Sequence, residues 1–146
     1  MPITATAIIN RRVLQRISEL RRSDAKTLLE AGHHHGAYYL CGYAVECALK
    51  ACVAKQVRRH DFPDKNLAAQ AFTHDLKLLM KLAGLSPELE RDMQSNKLLE
   101  LNWTVVKDWS ESSRYEIGIS EIQARDLYSA CTDRKNGVPY WIRRRW

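Results

Sequence analysis

The stretch from His34 to Val57, HHGAYYLCGYAVECALKACVAKQV, decides the class of fold. Its Ala, Leu, Val, Tyr and Cys residues occupy the whole circumference of a 3.6-residue turn, and a helix that is apolar all round belongs in the centre of a bundle. The apolar run from Ala37 to Ala54 approaches membrane-spanning length, but Glu46 and Lys50 stand in its middle. Two charges with hydrocarbon on every side cost too much in lipid. A core helix is predicted, and no membrane is expected.

Working outward, the residues before this stretch repeat the helical pattern in amphipathic form. Val13, Ile17, Leu20, Leu28 and Ala31 make a one-faced stripe from about Asn10 to Ala31, and Gly32 is a good stop. On the other side, His60 to Asn66, with Pro63, reads as a connecting loop. Thr73 reads as the N-cap of a short helix through Ala83, ended by Gly84. Ser86 and Pro87 start a helix predicted to run to about Trp109, and Ser110 to Gly118 is a polar loop. Ser120 and Gln123 form a capping box for a last helix to about Lys135, which Asn136, Gly137 and Pro139 end. No run alternates with strand period. The expected class is all-α, an up-and-down bundle of four to five helices, and 146 residues suit a single domain spanning 1–146.

A chain of this size buries roughly 70% of its unfolded surface and folds without disulfide or metal. Cys41, Cys47, Cys52 and Cys131 lack CxxC or zinc spacing and read as reduced core thiols, which implies the cytoplasm. Met1 to Asn10 lacks the charged start and apolar run of a signal peptide. The net charge of +6 is uneven: Arg11, Arg12, Arg16, Arg21 and Arg22 crowd the first helix, and Arg143, Arg144 and Arg145 lie together near the last residue. Such a balance suits polyanions such as RNA, an acidic protein, or simply a solvated basic surface.

At 100° per residue, His35, Tyr39, Tyr43, Glu46 and Lys50 fall in one narrow strip of the central helix. Charges on the wet side of a greasy element want partners or a ligand. The strip is either an ordinary i,i+4 ion pair or the wall of a polar cleft. Asp24 falls on the apolar stripe of the first helix and is expected to face the core, where Lys50 would complete an Asp24–Lys50–Glu46 network. Asp75 is a first-turn acid favoured by the helix dipole, and His74 is either structural or a phosphate donor or acid–base group. In the polar loop, Arg114 matches phosphate geometry and Tyr115 is placed to stack on a base, unless Arg114 pairs with Glu111 or Glu116. The run His33 to His35 points in different directions and builds no metal site alone. No Gly-rich phosphate loop, HExxH or GxSxG pattern is present. No cofactor, metal or catalytic residue is expected.

The segment from His35 to Ala51, the block Thr73-His74-Asp75-Leu76 and the Trp109 to Tyr115 segment ending in Arg-Tyr together resemble the HEPN (higher eukaryotes and prokaryotes nucleotide-binding) family. The likeness covers about Asp24 to Tyr115. It implies a bundle related to the helical domain of kanamycin nucleotidyltransferase, a homodimer, and often a minimal nucleotidyltransferase partner in a toxin–antitoxin pair. Many members are metal-independent RNases through an Arg followed, after four to six residues, by His. This chain departs there, since its last histidine is His74 and the Arg58/His60 pair has the wrong spacing. The first reading is thus a non-catalytic nucleotide- or RNA-binding module. Lys50, His74 and Arg114 would contact phosphate, Tyr39 or Tyr115 would stack on the base, and Glu46 and Asp24 would orient Lys50. The alternatives are a toxin-type RNase using His74 and Arg114 across subunits, and a scaffold for the nucleotidyltransferase through the basic first helix or the Arg-rich tail.

Overall fold

The structure, a computed structural model, describes residues 9–59 and 65–146, and of residues 58 and 59 the backbone alone. The expectations for residues 1–8, for most of the His60–Asn66 loop and for the Arg58/His60 pair lie outside the described residues. Among the described residues the chain is all helix and turn, with no strand. α1 (Arg11–Glu30) and α2 (His34–Arg59) form a helical hairpin, followed by α3 (Lys65–Gln70), α4 (Leu76–Leu82), α5 (Ser86–Ser95) and α6 (Lys97–Lys107). A 3-10 helix (Glu111–Tyr115), α7 (Glu121–Thr132) and α8 (Val138–Arg143) complete it.

The α1–α2 hairpin is closed by local chemistry. Asn10 caps α1 through its side chain, which accepts from the Val13 amide at 2.9 Å. Gly32, at φ +83°, lets the His33 amide reach back to the Leu28 carbonyl at 2.8 Å, a left-handed closure that a side chain would strain. Ser18 then ties the two helices together, its hydroxyl donating to the Ala44 carbonyl at 2.7 Å.

α2 is the axis of the molecule, in contact with α1, α4, α7, α8 and the 3-10 helix. Val45, Ala48, Leu49, Cys52 and Val53 are buried and pack with Leu76, Leu79 and Met80 of α4, Leu127 of α7 and Ile142 of α8. Its small residues let neighbours close in: a Cβ at Gly42 would fall within the ring of Trp109. All four cysteines are buried free thiols. Among the described residues no helix is long and apolar enough to cross a membrane.

Eight α-helices among the described residues exceed the four to five expected, for identifiable reasons. The predicted 86–109 helix is broken at Asn96, which leaves the helical region at φ −136°, ψ 94° and caps α6 by accepting from the Leu99 amide at 3.2 Å. Its amide also donates to Asn136 at 2.9 Å, so the break is held from outside. Pro139 does not merely end a helix; it sits in the first turn of α8, where its missing N–H costs nothing. The capping box at Ser120 and Gln123 is formed.

Candidate functional site

From Cys41 to Val53, only Tyr43 and Lys50 of α2 reach towards solvent; Glu46, on the same strip, is buried at 2% exposure. A carboxylate so placed needs donors. It has two: Lys50 Nζ at 3.3 Å from Oε2, and His74 Nδ1 at 2.8 Å from Oε1. The Lys50 charge is thereby committed to Glu46.

His74 is delivered by the turn before α4. Thr73 accepts the Asp75 amide through its hydroxyl at 3.1 Å, and Asp75, rather than Thr73, is the N-cap, accepting from Lys77 at 3.0 Å and Leu78 at 3.3 Å. The cap consumes the Asp75 carboxylate and turns the preceding His74 onto α2. The other face of the imidazole meets the 3-10 helix, with Nε2 3.0 Å from Glu111 Oε2. A neutral ring has one N–H to offer these two carboxylates, whereas the imidazolium donates to both.

The 3-10 helix is anchored by Trp109, buried against Tyr39 with ring centroids 6.0 Å apart. The Ser110 hydroxyl accepts the Ser112 amide at 3.2 Å and starts the turn. This presents Arg114, fully exposed, with its guanidinium 4.9 Å over the Tyr115 ring. Arg114 engages Tyr39 and Tyr115 rather than Glu111 or Glu116. Its hydrogen bond with the Tyr39 phenol, followed by the influence of Tyr115, holds it above the ordinary arginine value. Tyr39 stacks in turn with Tyr43 at 6.2 Å, and burial pushes the Tyr43 phenol up to about 12. At the start of α2, His35 Nε2 lies 2.8 Å from the Ile117 carbonyl and pins the loop that follows Tyr115.

Seven of the eight residues singled out from sequence therefore gather where α2, the 73–75 turn and the 3-10 helix meet: Tyr39, Glu46, Lys50, His74, Asp75, Arg114 and Tyr115. Asp24 does not. It is 48% exposed and pairs with Arg21 at 2.8 Å across one turn of α1, remote from any network with Lys50. Ala25 and Leu29 carry the buried line instead, so the true stripe is rotated by one residue from the predicted one.

Beside His74 lies a hollow of about 390 Å³, lined among others by Lys77, Lys107, Asp108, Trp109 and Glu111. Sequence reasoning missed Lys77 and Lys107 because neither stands on a buried helix; their one signal is proximity in the chain to the His74 and Arg114 blocks. The Trp109 Nε1 and Ser113 Oγ atoms are buried next to this site without hydrogen-bond partners among the described residues. Among the described residues no group of three or more His, Cys, Asp or Glu is arranged to hold a metal ion. The sequence matches no known protein-family model, and no curated protein or solved structure is detectably similar to it.

Proposed function

We propose that the chain is a nucleotide- or RNA-binding module of HEPN-like design, working in the cytoplasm as a homodimer. The observation that carries this reading is His74, held between Glu46 and Glu111 at the mouth of a 390 Å³ hollow that also contains Lys77 and Lys107. Arg114 and Tyr115 project next to it, a guanidinium for phosphate and an aromatic face for a base. Lys50 acts through Glu46, fixing the carboxylate that orients His74, rather than touching phosphate itself. The resemblance of the His35–Ala51, Thr73–Leu76 and Trp109–Tyr115 segments to HEPN proteins supports the same assignment.

Calorimetry with mononucleotides and short RNA tests it. The wild type binds, and Arg114→Ala weakens binding by about tenfold or more, the scale of a lost charge-assisted hydrogen bond, with unchanged helicity. No binding of any nucleotide or RNA by the wild type refutes the reading.

A second reading is favoured by the Glu46–His74 pair, since a buried carboxylate on one ring nitrogen is how an acid–base histidine is oriented. It makes the protein an RNase of the toxin type, with Arg114 stabilising the phosphorane. Cleavage of RNA in EDTA, abolished by His74→Ala, is its signature; intact RNA argues against it. A minimal nucleotidyltransferase remains the proposed protein partner.

A further inference from the structure

Residues 110–118 lie against α2 as a strap. The residues that border it are set in the core, Trp109 at 3% exposure and Ile119 at 5%. Between them Ser113 is buried, its hydroxyl without a hydrogen-bond partner among the described residues, while Tyr115 and Ile117 are exposed. A segment that buries so little apolar surface opens locally at small cost, so its position depends on the side chains that reach it from the body. Tyr39 reaches Arg114, His35 Nε2 lies 2.8 Å from the Ile117 carbonyl, and His74 Nε2 lies 3.0 Å from Glu111 Oε2.

The two histidine tethers differ in what they require. His35 needs one ring N–H, which a neutral imidazole has. His74 has a carboxylate at each ring nitrogen, Glu46 at 2.8 Å and Glu111 at 3.0 Å. With the ring charged, both contacts are attractive. A neutral ring carries one N–H, so a lone pair must then face one of the carboxylates. Burial decides which. Glu46 is 2% exposed and costly to leave without its donor, whereas Glu111, at 36%, can turn to water. Loss of the proton therefore frees the strap at Glu111 and leaves the His35 contact in place.

The charges around His74 come from each neighbouring element: Glu46 and Lys50 of α2, Asp75 and Lys77 at the start of α4, Lys107 and Asp108 at the end of α6, and Glu111 of the strap itself. Carboxylates outnumber ammonium groups by one, and an imidazolium balances the set. Beside Glu46, burial pushes Tyr43 up to about 12 and Cys47 up to about 11, so both stay neutral where histidines change charge.

We infer that the strap bearing Arg114 and Tyr115 is a pH-governed gate, clasped to α2 through a charged His74 and released when that ring is neutral. One proton on a half-exposed ring thereby sets how firmly the guanidinium and the aromatic face are presented. The gate operates in the free chain and requires no nucleotide.

Amide exchange followed by NMR from about pH 5 to about pH 8, each rate divided by the intrinsic rate at that pH, reads the gate. The Ser113 and Glu116 amides, which donate to the Ser110 and Ser113 carbonyls at 3.0 and 3.1 Å, report on the strap, and the Leu127 amide of α7 reports on the core. Protection of the strap amides is expected to fall about threefold to fivefold as pH rises, the scale of one partly exposed ion pair. Its midpoint should coincide with that of the His74 ring resonances, while Leu127 holds steady. Glu111→Gln and His74→Asn should each flatten the profile, and His35→Gln should keep it. If His74→Asn does not fold, the partly exposed Glu111→Gln change decides alone. A flat wild-type profile, a midpoint that departs from the His74 titration, a slope that survives Glu111→Gln, or one that vanishes in His35→Gln overturns the gate. Calorimetry that finds no nucleotide binding leaves it standing.

Discussion

His74 Nδ1 lies 2.8 Å from Oε1 of Glu46, a carboxylate with 2% of its surface exposed, so an open histidine is steered by a closed acid. Because Glu46 also holds Lys50 at 3.3 Å, its removal strands a lysine whose side chain is only 19% exposed. Glu46→Ala is expected to cost about 3–5 kcal/mol, the penalty for a buried charge left alone. The double variant Glu46→Ala/Lys50→Met should recover much of that loss. Urea denaturation measures both, and additive effects of the two changes would contradict the pairing.

Asp24→Asn is the opposite case. Its partner Arg21 is one turn away and both side chains stand largely in solvent, so the change is expected to shift stability by less than about 1 kcal/mol and to leave ligand binding unaltered. A loss of several kcal/mol in thermal or urea unfolding would restore Asp24 to the core.

The contrast between these two acids shows what the sequence discloses. α2 was legible because all-round apolarity has one structural use, and Glu46 and Lys50 were legible as exceptions within it. On α1 the stripe is narrower and a shift of one residue, 100° of rotation, separates the core from solvent; Ala25 and Asp24 are neighbours in sequence and opposites in environment. Tertiary contacts such as Asn96 with Asn136, or Glu111 with His74, join residues 40 and 37 positions apart, and no local pattern encodes them. The helical period of α2, the turn around Thr73 and the polar Ser110–Gly118 loop singled out most of the residues that gather at the site, but not the lysines of the hollow.

Asn96 supplies a test of the α5–α6 break. Its side chain accepts the Leu99 amide and donates to Asn136, so Asn96→Ala is expected to cost about 1–2 kcal/mol, the loss of a cap with its partner left unsatisfied. If chemical denaturation shows no loss, the two helices are a single element in solution.

Gly42 links packing to the site. A side chain there collides with the Trp109 ring, which is buried and cannot swing out freely. Gly42→Ala is expected to lower stability by about 1–3 kcal/mol through overpacking. It should also weaken nucleotide binding, since Trp109 precedes the 3-10 helix that bears Arg114. Near-UV circular dichroism reports the displaced indole; an unchanged spectrum together with full binding would mean that the helix and ring part without cost.

The buried thiols set the alkaline behaviour. Burial pushes Cys47 and Cys52 up from 9.0 to about 11, and Tyr43 up from 10.0 to about 12. All three are acids whose neutral form the folded chain prefers. As pH rises past about 9 the unfolded chain releases these protons first and binds fewer than the native one, so unfolding stability must fall with pH over 9 to 12 and owes no slope to these groups below pH 8. The midpoint of urea unfolding is therefore expected to hold from pH 7 to 8 and to decline above 9. Replacing Cys47 and Cys52 together by Ala should make the decline between pH 9 and 11 shallower without abolishing it, because the buried Cys131 thiol, also held above its ordinary value beside Cys41, remains. At pH 8 the native thiols should resist a disulfide reagent that labels them promptly in urea. Rapid labelling of the folded protein at that pH would place the thiols in contact with solvent and remove the basis for the alkaline slope.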